Sequence, residues 1–224
     1  PRIVRCNAMF TCNYKEVEIF NSEGKQFNDV RSRGRAFLIA VAAKPGSIET
    51  STAGPGAQQG MEFFLDEISL VDQAKEVAKS ALTMLDAREC PSGKMPVIIG
   101  NGFGGVIFHE ACGHSLEATS VAKNMSVFSG KIGEKIAADC VTAIDDGTIA
   151  NEWGSENIDD EGNPTKKNVL IENGILKSYM VDMRNGRRMN AKATGNTRRQ
   201  SYRFSPTSRM TNTYFLPGTS TFEE

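Results

Sequence analysis

Long apolar runs are missing from this chain. The longest, residues 36–43, falls far short of the roughly 18 residues that a membrane span requires. No N-terminal segment has the charged, apolar and small-residue order of a signal peptide. Charge of one sign is missing too: 26 Lys+Arg stand against 27 Asp+Glu, a formal net charge of -1. That balance argues against a chain built mainly to hold nucleic acid or an anionic membrane, and neither is expected as a partner. Five cysteines (Cys6, Cys12, Cys90, Cys112, Cys140) form no C-x-x-C pair, which excludes a zinc finger and a thioredoxin-type redox site. Their odd number points to reduced thiols and a cytoplasmic setting. Internal repeats and low-complexity tracts are absent. Histidine is scarce, with two in 224 residues.

What is present is ordinary for a globular protein: 39% hydrophobic and 24% charged residues, enough for one large domain or two small ones. Lys15-Glu16-Val17-Glu18-Ile19-Phe20, the turn Asn21-Ser22-Glu23-Gly24 and residues 28–41 predict a hairpin. Residues 44–60, rich in Gly, Pro, Ser and Thr, predict an exposed loop. From Ser69 the period changes. Leu70, Ala74, Val77, Ala78, Ala81 and Leu85 mark one face of an amphipathic helix, with Ser69 and Asp72 at its start and Pro91 beyond its end.

Pro96-Val97-Ile98-Ile99 predicts a short buried strand, and a helix is expected over residues 106–118. Asp145-Asp146-Gly147-Thr148 and Asn173-Gly174 are hairpin-type turns, the second joining residues 168–171 to 175–181. Residues 209–216 predict one more strand, whose edge could receive an extended peptide or which could be ordinary core. The expected class is α+β: an antiparallel β-rich catalytic domain with a metal-binding helix packed on the sheet. Residues 1–90 are expected to hold the hairpin and the amphipathic helix, and residues 91–224 the catalytic domain.

Both histidines fall in His109-Glu110-Ala111-Cys112-Gly113-His114. Two imidazoles and a carboxylate offer two zinc ligands and a general base in one short segment. The spacing is i, i+5, however, which on an ideal α-helix leaves the rings about 140° apart. They converge only through a π-bulge or a break at Gly113. Two alternatives stay open: a surface ion pair between Glu110 and His114, or a metal set of Glu110, His114 and Glu117, at i, i+4 and i+7.

Gly100-Asn101-Gly102-Phe103-Gly104-Gly105 matches G-x-G-x-x-G, so a dinucleotide-binding oxidoreductase is a distant alternative. No strand ending in Asp or Glu follows at the distance the ribose partner needs. Charge is segregated downstream, with eight acids and no Lys or Arg over residues 139–161, and eight Lys+Arg and no acid over residues 184–209. The two segments are expected to face each other or to be solvated faces. An arginine near a metal could also hold a substrate carboxylate or an oxyanion.

The run Gly104-Gly105-Val106-Ile107-Phe108-His109-Glu110-Ala111-Cys112-Gly113-His114-Ser115-Leu116-Glu117-Ala118 resembles the active-site helix of the TldD/PmbA family of metallopeptidases, in its TldD branch. Asp145-Asp146-Gly147-Thr148, Asp159-Asp160-Glu161-Gly162, Leu170-Ile171-Glu172-Asn173-Gly174, Thr194-Gly195-Asn196-Thr197-Arg198-Arg199 and Arg209-Met210-Thr211-Asn212-Thr213 agree in order. The resemblance implies a Zn²⁺-dependent peptidase acting on short or unstructured polypeptides, with His109 and His114 as metal ligands and Glu110 as the base. It also implies a PmbA/TldE-type partner subunit or a homo-oligomer. Family members take a third metal ligand from a downstream cysteine, and no cysteine follows Cys140. A fragment is therefore expected, with that ligand beyond residue 224. The runner-up is a non-catalytic peptide-binding or partner subunit of the same fold.

Overall fold

Alternation along one strand organises the N-terminal part of the computed structural model, which describes residues 2–219 and 221. β1 (Ile3–Phe20) and β2 (Gln26–Lys44) form the expected hairpin, longer than the sequence suggests. Its turn is closed by the Asn21 side chain, whose Oδ1 accepts from the amides of Glu23 (3.0 Å) and Lys25 (3.1 Å), while Gly24 takes a φ of +78°. Along β2 every second residue from Ala36 to Ala42 is buried, the period a half-buried strand requires.

The loop expected over residues 44–60 is largely strand. β3 (Ser47–Ala53) pairs antiparallel with β2, Lys44 opposite Ser47 and Leu38 opposite Ala53, and β4 (Gly56–Ala57) pairs with β2 at Gly34 and Arg35. The Gly/Pro/Ser composition obscured a run of β-branched residues, Ile48, Thr50 and Thr52, that suits a pleated surface. α1 (Leu70–Leu85) forms where the period changes, and Ser69 caps it by accepting from the Asp72 amide at 3.2 Å. Val77, Ala81 and Leu85 pack against Leu38, Ala40 and Ala42. Ala74, expected on that face, is exposed.

Two compact units result. One takes the chain up to Lys15 together with Val30–Val97; the other takes Glu16–Asp29 together with the chain from Ile98 onward. The second unit holds a four-stranded antiparallel sheet in the order β10-β5-β6-β7, from β5 (Ala143–Asp146), β6 (Lys167–Glu172), β7 (Ile175–Leu176) and β10 (Thr213–Phe215). Asn173-Gly174 makes the β6–β7 turn with φ of +48° and +78°, as a two-residue hairpin loop requires. Asp145-Asp146-Gly147-Thr148 is no hairpin tip, because β5 pairs with β6 across a long excursion. α3 (Ala118–Val121), α4 (Met183–Met189) and a ribbon of β8 (Thr197–Arg198) with β9 (Thr207–Ser208) complete the unit. Phe108, Leu116, Leu170, Ile171, Met180 and Met210 share its core, so the α+β class with the histidine-bearing helix packed on the sheet is what the structure has.

Three local expectations are corrected. Residues 96–99 form no strand: Ile98 is 99% exposed and Val97 71%. The residues predict β only through their propensity, and propensity gives way when no neighbouring strand takes up the backbone. The glycine loop consequently follows irregular chain rather than a strand and becomes a 3₁₀ turn, Gly102–Gly105, which removes the context a dinucleotide loop needs. The strand expected over residues 209–216 is confined to Thr213–Phe215.

Candidate metal centre

The helix expected over residues 106–118 is helical in three different ways. α2 (Val106–Phe108) has α geometry, His109–Gly113 is a π turn and His114–Leu116 is a 3₁₀ turn. The π turn resolves the spacing problem. The His114 amide donates to the His109 carbonyl, a bond spanning five residues in place of four, and the extra residue brings round two rings that an α-helix would splay. The ring centroids stand 4.7 Å apart with planes at 88°. Ligand atoms of His109, Glu110 and His114 lie within 4.8 Å of one another. Of the two routes to convergence the chain uses the bulge; Gly113 keeps helical dihedrals (φ -53°, ψ -55°).

His109 is part-buried, and burial first, then the charge of His114, holds its pKa below the ordinary imidazole value. A neutral ring keeps a lone pair free for a metal. Glu110 is exposed, where a solvent-reaching carboxylate can accept and return protons. Cys112, between the histidines, packs against the core, and burial pushes its thiol up.

Glu117 lies outside this cluster. Its backbone turns extended (φ -75°, ψ 129°) and ends the helix, bridging to Met180. Its buried carboxylate takes one partner per oxygen: His114 Nδ1 at 3.1 Å from Oε1, and Arg209 Nη1 at 3.1 Å from Oε2. The alternative set of Glu110, His114 and Glu117 is thereby disfavoured, and the carboxylate that His114 bonds to is Glu117 rather than Glu110.

The acidic and basic segments do meet, but through neutral groups. Asp159 accepts from the Thr197 amide (3.2 Å), Asp160 from the Arg199 amide (2.7 Å), and Glu161 from Thr197 Oγ1 (2.9 Å). Fully buried Asp145 accepts from Asn196 Nδ2 (2.5 Å), the Thr211 amide (2.7 Å) and Thr211 Oγ1 (2.8 Å). Burial, only partly offset by those donors, raises its pKa to about 6. Arg209 is committed to Glu117. Arg198 is exposed, donates to the Met210 carbonyl at 3.5 Å, and its charge reaches His109.

Residues 92–224 match the family model described as the PmbA/TldA metallopeptidase C-terminal domain, and residues 2–85 the one described as its central domain. The chain belongs to the PmbA/TldD family of metallopeptidases. A metalloprotease TldD homolog from Buchnera aphidicola is 42% identical over 229 residues, covering 100% of this chain and 47% of that protein. A zinc metalloprotease TldD homolog from Saccharolobus solfataricus is 31% identical over 216 residues, covering 94% of this chain and 48% of that protein. Among solved structures, a Thermotoga maritima protein described as a proposed modulator of a DNA gyrase has a TM-score of 0.84 at 25% identity, covering 100% of this chain and 49% of its own. TldE from Thermococcus kodakarensis has a TM-score of 0.75 at 21% identity, covering 96% and 48%, and shares the fold. The chain spans about half the length of the curated relatives it matches. Within the PmbA/TldD fold, the described residues include no helix long and apolar enough to cross a membrane.

Proposed function

We propose that this chain carries the metal site of a zinc-dependent peptidase that hydrolyses short or unstructured polypeptides. The observation supporting this most directly is the convergence of His109, Glu110 and His114 on a π turn. Two imidazoles and a carboxylate, one ring part-buried and held neutral, suit a borderline divalent ion such as zinc. His109 and His114 would hold it, with a further ligand from outside these residues. When bound, such an ion polarises a peptide carbonyl and acidifies water toward neutral pH. Glu110 Oε takes the proton from the attacking water and returns it to the departing amine.

The sheet supports a seat for the substrate as part of this proposal. Among the described residues β10 is an edge strand, and the ring of Phe215 packs tilted against that of Phe108, centroids 4.7 Å apart, immediately before His109. Asn212 C=O and Leu216 N–H bond toward β5, so by alternation the backbone groups of Thr213 and Phe215 point the other way. An extended peptide adds to such an edge through its own backbone, which tolerates many sequences but requires an unfolded segment. Arg198 is the guanidinium free of the Glu117 pair and suits a substrate carboxylate or oxyanion. A TldE-type subunit is the proposed partner and the cytoplasm the proposed location.

Zinc content per chain after dialysis, with hydrolysis of an unstructured peptide, tests the assignment. His109→Ala should lose the metal. Glu110→Gln should keep it and lose 10²- to 10⁴-fold in rate, the usual worth of a general base. Metal loss in Glu110→Gln would make Glu110 a ligand instead. Zinc-indifferent peptide binding without cleavage would favour the non-catalytic subunit.

A further inference from the structure

Resting on that reading of the metal site, we propose that Glu117 is a positioning residue: it fixes His114 with a proton on Nδ1 and a lone pair on Nε2, and the adjacent residues Arg209 and Met210 lock this arrangement. A neutral imidazole has one donor and one acceptor nitrogen, whereas an ionised carboxylate only accepts. The nitrogen facing Glu117, Nδ1 at 3.1 Å, therefore carries the hydrogen, and Nε2 is left to bind metal. His114 needs such a constraint. Its side chain is 41% exposed and follows directly on the π turn, so packing alone does not fix its ring.

An i, i+3 pair on a solvated helix face would contribute little. This one is different because the Glu117 side chain is only 5% exposed and its second oxygen is held by Arg209. Arg209 is itself held through its backbone. Its amide donates to the Asn196 carbonyl at 2.7 Å, and its carbonyl accepts from Asn196 Nδ2 at 3.2 Å. Asn196 is 2% exposed and is locked in turn by Asp145, Asn168 and Thr194, the last two donating to its Oδ1 at 3.0 and 2.7 Å. The next residue, Met210, packs on Gly113. One short segment thus holds the residue before His114 and the carboxylate three residues after it.

The experiment is ¹⁵N NMR of the imidazole nitrogens in the metal-free chain at about pH 8, above the range of an ordinary imidazole, with Zn²⁺ titration of the same samples. Two histidines make the spectrum simple to assign with His109→Gln. Wild type should show His114 protonated on Nδ1. Glu117→Ala should shift it to Nε2–H and weaken Zn²⁺ binding roughly 10- to 100-fold, and Arg209→Gln should move both readouts the same way by less. Where Glu117→Ala fails to fold, Glu117→Gln carries the test: its amide can accept or donate, so both tautomers are expected. An unchanged His114 tautomer with an affinity within about twofold of wild type would overturn the proposal. A tautomer change in a chain whose wild type binds no Zn²⁺ would uphold the positioning and count against a metal site made by these residues alone.

Discussion

Gly113 lies so close to Met210 that a side-chain carbon on the glycine would overlap the methionine sulfur. The glycine has ordinary helical dihedrals, so its role is to leave space rather than to take an unusual backbone conformation. Met210 is 4% exposed in the core and has little freedom to retreat.

Gly113→Ala should therefore push the π turn and the core apart. A loss of about 1–3 kcal/mol is expected, as for overpacking elsewhere, together with weaker zinc binding. Urea denaturation and a zinc titration on the same protein check it. Unchanged values in both would mean that Met210 repacks without disturbing His114.

Arg198→Ala should lower the rate on peptides while leaving zinc content unchanged, because its charge is felt at His109 and it lies outside the ligand set. Arg209→Ala should do the reverse first, weakening the metal through Glu117. Comparing zinc content and kcat/KM for the two variants separates a substrate-binding arginine from a positioning one.

Thr213→Pro removes an outward amide from β10 at the first position of the strand, where proline is tolerated. Stability should change little, and kcat/KM on extended peptides should fall about tenfold, the loss of one well-made hydrogen bond. A variant as active as wild type would mean that substrate does not add to this edge.

Asp145 sets a pH dependence. Its folded pKa, about 6, is raised above the ordinary carboxyl value of 3.8. The native state therefore prefers the protonated acid, and the contribution of Asp145 to stability is greatest below about pH 4 and is lost as pH rises through 6. The change is on the order of 3 kcal/mol. Denaturation midpoints across that window should show it as a slope that Asp145→Asn removes.

The sequence made the candidate site legible and left much of its support hidden. His109, Glu110 and His114 stood out by rarity and spacing, and the spacing itself called for the π turn that the chain adopts. Ser69 and the face of α1 were readable because a cap and a 3.6-residue period are local signals. β3 was missed because its Thr and Ser residues resemble loop composition, and residues 96–99 were overread because apolar propensity says nothing about whether a neighbour exists. Glu117 was visible as a spaced acid but not as a support for His114. Its partner Arg209 lies 92 residues away, and only tertiary structure brings them together.

The hairpin β1–β2 belongs to both compact units, its tip to one and its shaft to the other. Residues 16–29 fold with the histidine-bearing unit, where Asp29 receives Asn157 Nδ2 at 2.8 Å and Phe27 closes over Gly162. No single cut in the chain can liberate that unit intact. A truncation beginning after residue 97 would strip the ring of Phe27 from Gly162 and expose the acidic turn beneath it. A segment that begins at residue 98 thus lacks part of what the histidine-bearing unit folds around.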